Sequence, residues 1–192
     1  MFTHGELVEI AYRWILKSTP CGIAFKEYRA YTWSGEIPDV IGFGSSGLSV
    51  LVECKVSRAD FLGDRKKMFR QIPELGMGRQ RFYCCPAGLI KKEELPDGWG
   101  LIYVNEDRKA IKVHSIYRGN TEIHTTGFEP SMRDERAIMY SALRRLHMRG
   151  RLDEIYEELN AKRNEKSEIY NSYVEELQEI KSSNSINHSD NS

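Results

Sequence analysis

The fold is decided by the stretch Ile37-Pro38-Asp39-Val40-Ile41-Gly42-Phe43, followed after a glycine turn by Leu48-Ser49-Val50-Leu51-Val52-Glu53-Cys54-Lys55-Val56. Two apolar runs of strand length flank the turn, which predicts a β-hairpin. Charged residues stand at the mouth of the first strand, Asp39, and inside the second, Glu53 and Lys55. An ion in a buried strand is costly unless it is paired or metal-bound. The three charges therefore suggest a metal site.

The pairing of the two strands decides whether the carboxylates meet. Side chains at i and i+2 project from one face of a strand, so Glu53 and Lys55 share a face. If Phe43 pairs with Ser49, Asp39 lies directly across from Glu53, and the Cβ atoms of the two residues are about 5 Å apart. If Phe43 pairs with Leu48, the carboxylates face opposite ways. We predict the first register, which requires a turn of odd length or a bulge.

The hairpin motif resembles the PD-(D/E)XK nuclease superfamily, in which Pro38-Asp39 would be followed by Glu53-Cys54-Lys55 on the next strand. Two further segments are similar to its MmcB-like DNA-repair and phage-encoded branch: Val56-Ser57-Arg58-Ala59-Asp60-Phe61 and Glu94-Leu95-Pro96-Asp97-Gly98-Trp99-Gly100-Leu101-Ile102. The resemblance covers roughly residues 1–105. It implies an α/β fold with a restriction-endonuclease-like core, in which helices flank a central mixed β-sheet. It also implies a metal-dependent DNA nuclease, an endonuclease, in DNA repair, recombination or phage DNA processing.

The resemblance assigns roles to the hairpin residues. Asp39 and Glu53 would bind Mg²⁺, with Mn²⁺ as a substitute, and the backbone carbonyl of Cys54 would be a third ligand. Lys55 would orient or help to deprotonate the attacking water and would stabilise the charge that develops on the phosphate.

Superfamily members often add a glutamate from the first helix, and three residues compete for this role. Thr3 and Glu6 fit a capping box, which is a sufficient structural role for Glu6. Glu9 fits a solvated i,i+4 pair with Arg13. Glu27 lies in the predicted first strand. We favour Glu6 as the further metal ligand and leave Glu9 and Glu27 open.

Basic residues are concentrated in the predicted helix after the hairpin and in the loop before the fourth strand. Lysine and arginine neutralise backbone phosphates and give affinity without sequence information. A solvated helix face would explain the same pattern, but the place directly after the metal strand favours contact with DNA. The predicted DNA-binding residues are Arg58, Arg65, Lys66, Lys67, Arg70 and Arg79.

Composition sets the outer bounds. The 192-residue chain has 28 basic and 28 acidic residues, and this neutral balance neither indicates nor excludes a nucleic-acid partner. No apolar run approaches the ~20 residues that span a membrane, and the N-terminus lacks a signal-peptide pattern. We expect a cytoplasmic protein, in a bacterial or phage-infected cell, without a membrane partner. The four cysteines fit a reducing compartment, and we assign no role to the five histidines.

Three parts are predicted along the chain: a nuclease-like domain over residues 1–127, a helical C-terminal extension over 128–181, and a disordered Ser-Asn-rich tail over 182–192. Apolar residues recur in the extension at helical spacing. A long helix that packs on the domain would explain this spacing, and so would a short coiled coil, which would give a homodimer through these helices.

Two other functions fit the same residues. The protein could keep the nuclease fold yet bind DNA, or act as a phage-host interaction factor, without cleaving. Alternatively, the carboxylates could hold a metal that acts on a substrate other than nucleic acid. The presence of Asp39, Glu53 and Lys55 together favours the nuclease.

Overall fold

A computed structural model describes residues 2–45, 47–117 and 126–189, with side chains described to residue 177. In this part of the chain, helices flank a six-stranded mixed sheet. The predicted α/β class and mixed sheet are therefore confirmed. The helices and strands are α1 His4–Ser18, β1 Cys21–Lys26, β2 Val40–Gly44, β3 Ser49–Cys54, α2 Arg58–Asp64, α3 Met68–Gln71, β4 Gln80–Pro86, β5 Trp99–Val104, β6 Ala110–His114, α4 Met132–His147 and α5 Leu152–Ser189.

The strands follow chain order across the sheet, from β1 to β6. Strands β3, β4 and β5 run parallel, and the pairs β1-β2, β2-β3 and β5-β6 are antiparallel. Parallel neighbours need a crossover, which α2 and α3 provide between β3 and β4. The ends of β3, β4 and β5 therefore lie at the same edge of the sheet as the beginnings of β2 and β6. We call this the carboxyl edge.

Helix α1 begins where the capping box predicts. The Thr3 hydroxyl accepts from the Glu6 N–H at 3.3 Å, and the Glu6 carboxylate accepts from the Thr3 N–H at 2.9 Å. One face of the helix is buried against the sheet. Its buried residues are Leu7, Val8, Ile10, Ala11, Trp14 and Ile15.

Alternate residues of β3 enter two separate cores. Val50 and Val52 pack in the core that contains α1, whereas Leu51 packs in a second core with Phe61 of α2 and Ile138 of α4. The predicted alternation is therefore confirmed. Glu53, two residues after Leu51, lies on the face of the second core.

The basic segment over residues 58–71, predicted as one helix, forms two short helices. Lys67 interrupts it with an extended backbone conformation, φ −66° and ψ 140°. After this break Arg70 turns towards the sheet and pairs with buried carboxylates of Glu36 and Asp64. The segment therefore forms internal ion pairs and is not one continuous helix facing solvent.

The chain forms two compact units, Met1–Ser141 and Ala142–Ser192. The first unit extends past the predicted boundary at residue 127, because the first half of α4 belongs to it. Ile138 is fully buried in the second core, and Asp134 accepts from the Trp33 N–H at 2.7 Å. Residues 118–125 of the predicted nuclease-like domain lie outside the described residues.

Helix α5 continues to Ser189, past residue 182, where the sequence predicts a disordered tail. No glycine or proline interrupts the chain after Gly150, so nothing local ends the helix. Residues 190–192 of the predicted tail lie outside the described residues. Among the helices described, none combines the length and the apolar character needed to cross a membrane. All four cysteines are buried and free.

Candidate functional site

Strands β2 and β3 pair in the register that brings the carboxylates together. Phe43 pairs with Ser49, and a backbone hydrogen bond of 2.8 Å closes the turn around the three residues 45–47. Continuing this register to the beginning of β2 places Asp39 across from Glu53. The predicted register and the odd-length turn are confirmed.

Asp39 lies at the carboxyl edge, and its side chain is mostly buried. Its Oδ2 accepts from the Cys54 N–H at 2.7 Å, and its Oδ1 lies 3.4 Å from Nε2 of His4. Burial and the nearby charge of Glu53 raise the pKa of Asp39 to about 6. Two carboxylates at this spacing disfavour each other's ionisation, and a bound cation would relieve their repulsion.

The backbone of Cys54 also faces Asp39. In an extended strand the N–H and the carbonyl of one residue point to the same side. The Cys54 N–H points towards β2, where it donates to Asp39, whereas the Lys55 N–H donates to Cys84 of β4 at 2.8 Å. The Cys54 carbonyl therefore lies on the Asp39 side of β3, as its predicted role requires.

A histidine and a second carboxylate form a cluster with Asp39. His4 is the first residue of α1, and Glu27 follows β1 directly. Nε2 of His4 lies 3.5 Å from Oε1 of Glu27, and one ligand atom from each of the three residues lies within 4.8 Å of the other two. Glu27 has φ 42°, in a region that non-glycine residues rarely occupy, and its N–H donates to the Asp39 carbonyl at 2.9 Å.

Glu6, the favoured helix ligand, does not join this cluster. Its Oε2 accepts from the Thr3 N–H at 2.9 Å, and its Oε1 pairs with Arg108. Glu9 pairs with Lys26. Of the three glutamates weighed from the sequence, only Glu27 lies beside Asp39, which corrects the preference for Glu6. The physical reason is that Glu6 caps its own helix.

Glu53 and Lys55 belong to a buried network of charges. Nζ of Lys55 lies 3.2 Å from Oε2 of Glu53 and 3.4 Å from Oδ1 of Asp64. Nη2 of Arg70 lies 2.9 Å from Oε1 of Glu53, without hydrogen-bond alignment, and its Nε donates to Asp64 at 3.0 Å. Arg70 also pairs with Glu36, whose carboxylate accepts a hydrogen bond from the Met77 N–H. Glu53 is therefore held between two cations.

The network keeps Lys55 charged. Burial opposes the charge, but the carboxylates of Glu53 and Asp64 outweigh burial and raise the pKa of Lys55. A lysine with a raised pKa is an ammonium ion at neutral pH, which donates hydrogen bonds and does not accept a proton. Of the two roles that the resemblance implies for Lys55, this arrangement suits charge stabilisation.

Comparison with known proteins supplies a fold but no function. No protein-family model matches the chain, and no curated protein matches its sequence. Among solved structures, the chain is similar to the SPO1766 protein of unknown function from Silicibacter pomeroyi, with a TM-score of 0.50 and 22% identity. The match covers 76% of this chain and 90% of that one. A likeness at this identity shows the fold alone, and one fold hosts many functions.

The predicted DNA-binding residues are in three different environments. Arg70 is only 2% exposed at its side chain and is enclosed by carboxylates, which corrects its prediction as a DNA contact. Arg58 is 48% exposed but makes a two-pronged pair with Glu94. Lys67 pairs with Asp64, and Arg79 is half-buried. Arg65 and Lys66 are exposed and form no ion pair in the part of the chain that the structure describes.

Sequence reasoning assigned His4 no role and predicted Arg70 as a DNA contact, not as a member of the buried charge network. His4 carries no motif, and its only signal is its place in the first turn of a helix. Arg70 stands in a basic segment that reads as a solvated helix face, and its acidic partners come from Glu36, before β2, and from β3 and α2. Only the folded chain brings these segments together.

Proposed function

We propose that this protein is a metal-dependent nuclease that hydrolyses DNA phosphodiester bonds on a restriction-endonuclease-like core. One observation carries the proposal: Asp39 lies across from Glu53, with the Lys55 ammonium group 3.2 Å from Glu53. A slip of one residue between the strands would have separated the two carboxylates. The motif therefore stands in the register that its chemistry needs.

The donors around Asp39 fit a divalent cation. Carboxylate and carbonyl oxygens are the ligands of Mg²⁺, and an imidazole nitrogen also suits Mn²⁺ and other first-row transition ions. The ion would be held by Asp39, Glu27 and His4. The carbonyl of Cys54 is on the Asp39 side of β3, and Glu53 adds negative charge nearby. The raised pKa of Asp39 supports this fit, because burial and the charge of Glu53 disfavour its ionised form and a bound cation would oppose both effects. A bound cation supplies charge neutralisation at the phosphate and lowers the pKa of water.

The remaining site residues act through position and charge. The Lys55 ammonium group would donate to a phosphate oxygen that gains negative charge as the bond breaks. Glu53 and Asp64 fix this ammonium group at 3.2 and 3.4 Å, so it need not reorganise during the reaction. Arg70 in turn fixes Glu53. Burial of this network keeps water from screening the interaction.

Digestion of plasmid and branched DNA with Mg²⁺ or Mn²⁺ tests the proposal. We expect Asp39→Asn and Lys55→Met each to reduce the rate by about 10²–10³-fold, as the loss of one group that stabilises transition-state charge does. Lys162→Met is the matched control, because Lys162 is exposed on α5 and has no role in the proposed site. Cleavage that survives both site substitutions would refute the assignment.

The second candidate is a protein that keeps the nuclease fold without cleaving nucleic acid. It would bind DNA or act in a phage-host interaction. It is favoured by one observation, that both oxygens of Glu53 already face cations, Lys55 and Arg70. A carboxylate neutralised in this way does not need a metal. Retention of DNA in gel-shift assays, with no cleavage of any DNA or RNA under either metal, would support this candidate over the nuclease.

A further inference from the structure

A second charged feature lies between α1 and the turn that joins β5 to β6. It is a cleft of about 410 Å³ whose walls carry four cations, Arg13 and Lys17 of α1 and Arg108 and Lys109 of the turn. Trp14 forms part of its floor. No carboxylate lines the cleft among the described residues. We call it the cationic cleft.

Most of this charge is not neutralised by the protein. Arg108 pairs with Glu6, whereas Arg13 donates its Nε to the backbone carbonyl of Glu9 at 3.3 Å and has no ion pair in the described part of the chain. Lys17 and Lys109 have no ion pair within the described ranges 2–45, 47–117 and 126–177. A concave wall lined by one sign of charge focuses the field and attracts counter-ions.

The cationic cleft begins at the same edge of the sheet as the candidate site. The β5-β6 turn lies at the carboxyl edge, and its Arg108 contacts Glu6, two residues along α1 from His4. Since a helix rises about 1.5 Å per residue, Arg13 and Lys17 lie about 14 and 20 Å along the helix from His4. Nucleotides in one strand of a duplex repeat every ~3.4 Å, so this span corresponds to about four to six nucleotides.

We propose that the cationic cleft binds the phosphate backbone of a nucleic acid at a distance of about four to six nucleotides from the candidate site. The position of the scissile bond rests on the proposed nuclease function, but backbone binding in the cleft does not require cleavage. A strand follows a concave groove of this kind, whereas a lipid surface would meet a flat or convex one. Contacts with phosphate fix the path of the strand without reading its sequence.

This path differs from the one that the sequence predicts. The basic segment over residues 58–71 follows β3, but carboxylates of the protein already pair with three of its cations, Arg58, Lys67 and Arg70. In the cationic cleft three of four cations lack such a partner. The surface with the larger uncompensated charge is therefore along α1.

Fluorescence anisotropy with labelled single-stranded and duplex oligonucleotides in EDTA tests the proposal without cleavage. The test variant is Lys17→Glu with Lys109→Glu, and the matched control is Lys162→Glu with Lys166→Glu, which makes the same charge change at exposed positions of α5. We expect the cleft variant to bind about tenfold or more weakly, with the slope of log Kd against log salt reduced by about 1.8 for duplex DNA. The control should bind as the wild type does.

Several results would overturn the proposal: equal loss in both variants, loss in the control alone, or no binding of either oligonucleotide by the wild type at low salt. Binding of anionic vesicles that the cleft variant loses while it keeps its DNA affinity would also overturn it, in favour of a membrane surface. If the double glutamate variant does not fold, Lys17→Gln with Lys109→Gln should show a smaller loss in the same direction. Binding in EDTA is measured without cleavage, so a failure at the cleft leaves the test of the nuclease standing.

Discussion

Replacing Arg70 by methionine should strongly destabilise the protein. The Arg70 side chain is 2% exposed and contacts three carboxylates, those of Glu36, Glu53 and Asp64, whose side chains are each at most 3% exposed. Methionine fills a similar volume but removes the guanidinium group that contacts all three carboxylates. Removal of one partner from a buried ion pair costs about 3–5 kcal/mol, and little solvent screening reduces the effect here. We expect a loss of about that size in the free energy of unfolding at pH 7.

The size of this loss should depend on pH. Burial raises the pKa of Glu36, and the charge of Arg70 opposes that rise, so the substitution raises this pKa further. A carboxyl group whose pKa is higher in the folded state binds its proton more readily when folded, so stability falls as pH rises through that pKa. Burial also disfavours the ionised form of Asp64, but the charges of Arg70 and Lys55 hold the pKa of Asp64 well below its usual range. The deficit should be largest above the raised folded-state pKa of Glu36 and shrink as the pH falls through that pKa, and it should be smallest below about pH 4.5, where Glu36 is protonated in the unfolded chain as well.

Urea denaturation followed by circular dichroism at several pH values measures both effects. Arg65→Met, at an exposed position in the same segment, is the control and should change stability by less than about 0.5 kcal/mol. Adding Glu36→Gln to Arg70→Met should recover part of the loss, because one repulsive charge is removed. A loss below about 1 kcal/mol, or a deficit independent of pH, would refute the argument that these charges depend on Arg70.

Three further outcomes follow from the cluster at Asp39. His4→Ala should weaken Mn²⁺ binding about tenfold in calorimetric titration and Mg²⁺ binding less, since imidazole suits the transition ion; equal effects on both ions would contradict this. Glu27→Gly should raise the free energy of unfolding by up to about 1 kcal/mol, because glycine accepts the positive φ without strain, while it weakens Mn²⁺ binding; a less stable variant would show that the glutamate is not strained. Metal affinity of the wild type should rise with pH through about 6, as Asp39 loses its proton, and Asp39→Asn should abolish that rise; an unchanged profile in the variant would assign the titration elsewhere.

Local patterns in the sequence were enough for the hairpin. The side chains of β3 alternate with a period of two, so the faces of Leu51 and Glu53 could be predicted, and only one register brings Asp39 across from Glu53. The capping box predicted the beginning of α1 for the same reason, because it depends on residues three apart.

Contacts between distant segments could not be predicted in this way. His4 and Glu27 reach Asp39 from the first turn of α1 and from the end of β1, and the positive φ that directs Glu27 leaves no trace in its residue type. The inward turn of Arg70 was missed because its basic neighbours suggest a solvated helix. Its partners, Glu36 and Glu53, are 34 and 17 positions away in the chain.

Helix α1 fixes a length as well as a face. It carries His4 in its first turn and Lys17 in its last, so a rigid segment of backbone, and no flexible loop, sets the interval between the cluster at Asp39 and the far end of the cationic cleft. Such a helix would work as a ruler. Lengthening it by one turn would add about 5.4 Å, or between one and two nucleotides, to the interval between the cationic cleft and the candidate site.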